Sequence, residues 1–102
     1  MSGITTHVLD TARGRPAAGV PVRLDGPDHL LGEAVTDHDG RVRAIGPDHL
    51  EPGTYTLTFD VAAYDEGSFF PQVAIAFRVT DDEHHHVPLL LAPFTYSTYR
   101  GS

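Results

Sequence analysis

The sequence predicts an all-β domain: a two-sheet antiparallel β-sandwich of seven to eight short strands with one short helical turn. Three observations carry this. Apolar and polar residues alternate over runs of about four to eight residues, the period of a half-buried strand. Turns rich in Gly, Pro and Asp separate these runs at the spacing of a sandwich. No segment sustains the helical period of apolar residues that a long amphipathic helix needs.

The elements follow in order. Ile4 to Leu9 reads as a strand with Ile4, Thr6 and Val8 on one face and Thr5, His7 and Leu9 on the other. Asp10 to Gly19 is a Gly-, Pro- and Ala-rich loop. Val20 to Leu24 is a second strand, and Pro21 marks it as an edge or a strand start. Gly32 to Thr36 is a weaker third. Asp37-His38-Asp39-Gly40 is a turn, with Gly40 suited to positive φ, and Arg41 to Ile45 is the strand that leaves it. Thr54 to Val61 alternates most cleanly. Ala62 to Gly67 has room for one helical turn. Gln72 to Val79 and His84 to Leu91 are two further strands, and Thr80 to Glu83 reads as a hairpin connection between them. Ser97 to Arg100 is a last short strand. Gly-Pro-Asp-His-Leu occurs twice, at 26–30 and 46–50, and both copies are expected to be solvent-facing turns.

A chain of 102 residues is expected to be a single domain, 1–102, that buries roughly 65% of its unfolded surface. Such a core has little room for an internal cavity, so a small-molecule site belongs on an outer face, in a cleft or between subunits. There is no cysteine, which excludes disulfides and thiolate catalysis. The net charge is −7 and all seven basic residues are arginine, which argues against a nucleic-acid partner. No stretch approaches the roughly 18 apolar residues of a membrane span. Met1-Ser2-Gly3 leads straight into a strand pattern without the look of a signal peptide, so the expected location is cytoplasmic.

Four places could carry chemistry. His84 and His86 share one face of their strand and His85 the other; His-x-His on a strand can offer two ligands to zinc, or can simply be a polar strand end. His7 sits mid-strand. Arg41 and Arg43 share a face: like charges so placed face solvent, unless one turns into a cleft as a bidentate clamp for a planar polar substrate. The ending Tyr99-Arg100-Gly101-Ser102 gathers a phenol, a guanidinium, a hydroxyl and a carboxylate after a strand-forming segment, which suggests an end tied into the fold. There is no nucleophile elbow, His-Glu-x-x-His motif or phosphate loop.

Four segments together resemble the 5-hydroxyisourate hydrolases of the transthyretin-related family. They are Thr5 to Asp10 with Gly14 to Ala17, Thr36 to Arg41, His84 to Leu91, and Tyr96 to Ser102. The ending is the most specific, since transthyretin itself lacks it and has Lys and Glu where this chain has His7 and Arg41. Ala92, where Ser is common, and a short 26–31 loop depart from the pattern. The resemblance implies a transthyretin-like sandwich that assembles as a homotetramer, a dimer of dimers, with sites in the channel between dimers. It implies hydrolysis of 5-hydroxyisourate to 2-oxo-4-hydroxy-4-carboxy-5-ureidoimidazoline in urate breakdown, without a metal or cofactor. The implied catalytic residues are His7, Arg41, His86 and Ser102, with His7, Arg41 and Tyr99 binding substrate. One histidine would take a proton from water and the other would orient the water or protonate the leaving nitrogen. Arg41 would hold the carbonyls and stabilise the oxyanion. The alternatives are a transthyretin-like carrier without catalysis, and a zinc-binding sandwich using His7, His84 and His86.

Overall fold

Alternation decides the first element. In the computed structural model, which describes Gly3 to Ser102, strand β1 (Gly3–Asp10) buries Ile4, Thr6, Val8 and Asp10. Thr5, His7 and Leu9 stay partly exposed on its other face. The Met1-Ser2 part of the expected strand lead-in lies outside the described residues. β1 pairs along one edge with β2 (Arg15–Pro16) and β5 (Arg41–Ile45), both antiparallel. Along the other edge it runs parallel to β8 (His84–Leu91) over its whole length, from Gly3 opposite His84 to Asp10 opposite Leu91. β9 (Tyr96–Thr98) continues the sheet antiparallel to β8. The second sheet is wholly antiparallel, in the order β4 (Leu30–Val35), β3 (Pro21–Asp25), β6 (Gly53–Asp60), β7 (Gln72–Val79).

The inward faces meet in one core. Ile4, Val8 and Leu89 from the first sheet pack with Leu24, Leu57, Phe59 and Val73 from the second, all essentially inaccessible to water. Each such side chain contributes about 1.5–3 kcal/mol of burial. Asp60 caps the single helical turn α1 (Val61–Tyr64) by accepting from the Ala63 N–H. Tyr64 in turn donates to the buried Asp10 carboxylate at 2.7 Å. Burial works to raise the Asp10 pKa, but Tyr64 and the Arg13 backbone and guanidinium donors outweigh it and hold the group below its ordinary value. This links the end of β1 to α1.

The expected two-sheet sandwich is present, with nine strands among the described residues. The extra one is β2, a two-residue pairing inside the 10–19 loop that has no periodic signal of its own. Pro21 opens its strand and does not mark an edge, because β3 lies between β4 and β6. The expected hairpin at Thr80 to Glu83 is corrected: β7 pairs with β6 and β8 with β1, so this segment crosses from one sheet to the other. The final strand ends at Thr98, and the chain touches β8 again only where Gly101 bridges to His86. Of the two Gly-Pro-Asp-His-Leu turns, the second does not stay in solvent: Leu50 is buried in the core. Both copies line one surface cleft of about 370 Å³. No helix among the described residues is long and apolar enough to cross a membrane.

Candidate active site

The outer face of the first sheet gathers most of the singled-out side chains. Parallel pairing sets Thr5 opposite His86, and antiparallel pairing sets His7 opposite Arg41. Residues of equal facing on β5, β1 and β8 therefore stand side by side across three strands. A cleft of about 260 Å³ opens there, lined by Thr5, Arg41, Arg43, His84, His86 and Ser102 among others. That volume admits a small planar heterocycle.

Turn chemistry delivers the arginines. Asp37 accepts from the backbone N–H groups of Asp39 and Arg41 at 2.9 and 3.0 Å, which folds the chain back on itself. Gly40 takes φ +75°, and a Cβ there would collide with the Val8 carbonyl of β1. The two arginines differ in commitment. Arg43 is 69% exposed and shared between Asp37 and Asp39 at 3.7 and 3.6 Å. Arg41 is only partly exposed, and its guanidinium has no carboxylate partner among the described residues. Arg41 is thus the cation left for a ligand.

The histidines are held differently. His7 Nε2 lies 2.9 Å from the Asp39 carbonyl oxygen. A carbonyl only accepts, so in the neutral ring Nε2 carries the hydrogen and Nδ1 keeps its lone pair. His86 Nδ1 is 2.7 Å from the Thr5 hydroxyl, which is also 2.9 Å from His84 Nε2. Burial, then the Coulombic influence of Arg41, His7 and His84, pushes the His86 pKa below the ordinary imidazole value. His86 is therefore neutral at neutral pH, the state a general base requires.

The end of the chain returns to this cleft. The Gly101 N–H donates to the His86 carbonyl at 2.8 Å, and Ser102 lines the cleft beside the imidazole. Of the expected site residues, Arg41, His86 and Ser102 converge, and His7 adjoins Arg41. Tyr99 is not brought there. It lines a neighbouring cavity of about 280 Å³ with Ile75, Phe77 and the buried His85, and this cavity shares His86 with the cleft. The Thr5 hydroxyl lies within hydrogen-bond distance of both cleft histidines. Among the described residues, the side chains whose ligating atoms come within reach of a common ion are Asp37, His38 and Asp39. Sequence reasoning missed Thr5 as a site residue; its place two residues before His7, on the same strand face, was the available signal. Gly101 lay within the marked ending, but its close approach to His86 had no signal there.

The parallel β1–β8 seam, the polar cleft on its outer face and the chain end folded back over β8 define a transthyretin-like β-sandwich. The chain belongs to the HIUase/Transthyretin family, whose sequence profile matches residues 4–101. It is 50% identical to the 5-hydroxyisourate hydrolase of Deinococcus radiodurans, over 98% of this chain and 96% of that protein. It is 51% identical to the uric acid degradation bifunctional protein TTL of Arabidopsis thaliana, over 97% of this chain but only 37% of that longer protein. The solved structure of Klebsiella pneumoniae 5-hydroxyisourate hydrolase superposes with a TM-score of 0.90 at 38% identity, covering 98% of this chain and 99% of that one.

Proposed function

We propose that this protein hydrolyses 5-hydroxyisourate to 2-oxo-4-hydroxy-4-carboxy-5-ureidoimidazoline, a step in urate breakdown. The observation that carries the reading is the convergence of Arg41, His86 and Ser102 on one cleft. The full-length similarity to hydrolases of that name supports it. Arg41 presents a planar two-donor fork to the substrate carbonyls and stabilises the oxyanion as it forms. His86 Nε2 takes a proton from the attacking water. The Nδ1 lone pair of His7 orients that water, because its Nε2–H is occupied by Asp39. His86, now carrying that hydrogen on Nε2, then supplies the leaving ring nitrogen, and Ser102 closes the cleft by hydrogen bonding.

In this reading the protein works as a homotetramer, a dimer of dimers. The support is that the cleft lies open on an outer sheet face, that β7 and β9 end their sheets unpaired, and that Phe69 and Phe94 are 71% and 84% exposed. Tyr99, exposed in the neighbouring cavity that His86 also lines, then contributes to substrate binding from beside the cleft. The test is turnover: purified protein is mixed with freshly generated 5-hydroxyisourate and the absorbance decay is followed. A rate well above buffer is expected. A carrier with the same channel leaves the decay at the buffer rate, and that result refutes the proposal.

A further inference from the structure

Thr5 stands between two imidazoles and has one proton to give. Its Oγ1 lies 2.7 Å from His86 Nδ1 and 2.9 Å from His84 Nε2. A hydroxyl has one proton and two lone pairs, so it donates to at most one of the two ring nitrogens. When it donates to one ring and accepts from the other, both hydrogen bonds run in the same direction and the tautomers of His84 and His86 are linked. In one arrangement His86 Nδ1–H donates to Thr5, Thr5 donates to His84 Nε2, and His86 Nε2 is bare. In the other, His84 Nε2–H donates to Thr5, Thr5 donates to His86 Nδ1, and His86 Nε2 carries a hydrogen.

We propose that Thr5 is a positioning residue that sets the His86 tautomer and relays its surplus proton to His84, which hands it to solvent. The inference rests on the reading of His86 as general base. In the first arrangement water loses a proton to His86 Nε2 as its oxygen bonds to the ring carbonyl carbon. The imidazolium then passes its Nδ1 proton to Thr5 as the Thr5 hydroxyl proton moves to His84 Nε2. His84 releases its own Nδ1 proton to bulk water. His86 is left neutral with a hydrogen on Nε2. As it gives this hydrogen to the leaving nitrogen the chain runs back, with Thr5 donating to His86 Nδ1 while His84 Nε2–H donates to Thr5 and His84 Nδ1 regains a proton from bulk water. The relay thus turns one base into one acid.

The placement suits this role. Thr5 and His86 are half-buried, whereas His84 is exposed at the mouth of the cleft. The path runs from a partly dry base to water through a single hydroxyl. Arg43 and Ser102 line the same cleft, and the charged or titratable groups that act on the His86 ring besides His84 are Arg41 from β5 and His7 from β1. Neither touches the hydroxyl that joins the two rings. His7 is engaged with Asp39, and Arg41 has no proton to exchange near neutral pH.

Thr5→Val keeps the shape and removes the hydroxyl, Thr5→Ser restores it, and His84→Gln removes the outlet. Thr5→Val is expected to lower kcat at least tenfold with little change in KM, and Thr5→Ser to recover most of it. His84→Gln is expected to become buffer-dependent, with its rate rising with added imidazole. Imidazole 15N spectra of the free protein give a readout independent of turnover. His84 and His86 should titrate as a coupled pair in the parent and separately in Thr5→Val. Parent-like kcat in Thr5→Val, a Thr5→Ser variant as slow as Thr5→Val, or independent histidine titration in the parent overturns the relay. A parent without turnover but with coupled histidines overturns the proposed reaction and leaves the hydrogen-bond linkage standing.

Discussion

Gly101 offers the sharpest perturbation of the candidate site. A Cβ built at this position lies 2.5 Å from His86 Cδ2, and 3.2 and 3.3 Å from Cγ and Cβ of the same side chain. Carbon atoms rest at about 3.5–4.0 Å, so Gly101→Ala requires the two groups to part by about 1 Å. His86 is the less free to move, because β8 is paired with β1 along its full length. The tail is held at Gly101 by one backbone hydrogen bond to the His86 carbonyl. The tail should therefore yield, carrying Ser102 away from the cleft. Loss of that hydrogen bond costs about 0.5–1.5 kcal/mol. A displacement of about 1 Å at a reacting site costs up to about a hundredfold in rate. We expect Gly101→Ala to keep a melting temperature within a few degrees of the parent while kcat/KM for 5-hydroxyisourate falls ten- to a hundredfold. Initial rates, thermal unfolding and size-exclusion chromatography on one preparation test this. A variant of parental assembly that turns over at the parental rate refutes the view that the returned tail completes the site. A large loss of stability with unchanged rate does the same.

Four further outcomes are expected. Arg41→Lys should lose about a hundredfold in kcat/KM, while Arg43→Lys stays near the parent, because exposed ion pairs contribute only about 0–1 kcal/mol; equal losses in steady-state kinetics would mean the wrong arginine is assigned. Since burial and then the Coulombic influence of neighbouring groups lower the His86 pKa, its neutral form persists to lower pH than a free imidazole's. Activity should therefore hold as pH falls to about 6.5 and drop only below it; a pH–rate profile that falls above that value contradicts His86 as base. Prolonged treatment with EDTA should leave turnover unchanged, and a loss restored by zinc would replace the proposed mechanism with metal-activated water. Leu89→Ala, in a fully buried position, should cost about 2–5 kcal/mol and lower the melting temperature by about 10 °C or more, as read by calorimetry.

Much of the fold was legible because its elements are local. The alternation of β1 and β6 reports which face is buried, and the bounds of β5, β7 and β8 agree with the residue pattern. What failed was pairing. Thr80 to Glu83 has the composition of a hairpin, yet β8 lies against β1 from the other end of the chain, and no local signal encodes that. The candidate site divides in the same way. His7, Arg41, His86 and Ser102 carry recognisable chemistry on recognisable segments. Thr5 is an ordinary strand residue until a neighbouring strand puts two imidazoles against its hydroxyl. Gly101 matters only for the side chain it allows to approach. Leu50 looks like part of a polar turn and is drawn into the core by apolar surface the sequence pattern does not locate.

The parallel seam also orders events in time. The second sheet joins strands close along the chain, β3 with β4 and β6 with β7, and its contacts can form while much of the polypeptide is still loose. The first sheet cannot be completed in this way, because its β1–β8 seam joins distant parts of the chain. Thr5 and His86 are 81 residues apart, and closing a loop of that length costs about 4 kcal/mol by the logarithmic scaling of chain entropy. During synthesis β1 emerges first and must wait, half unpaired, until β8 leaves the ribosome. The histidine cluster therefore exists only after the longest closure in the molecule has been made. In refolding, catalytic activity should return later than the signal from Tyr55, which sits in the second sheet.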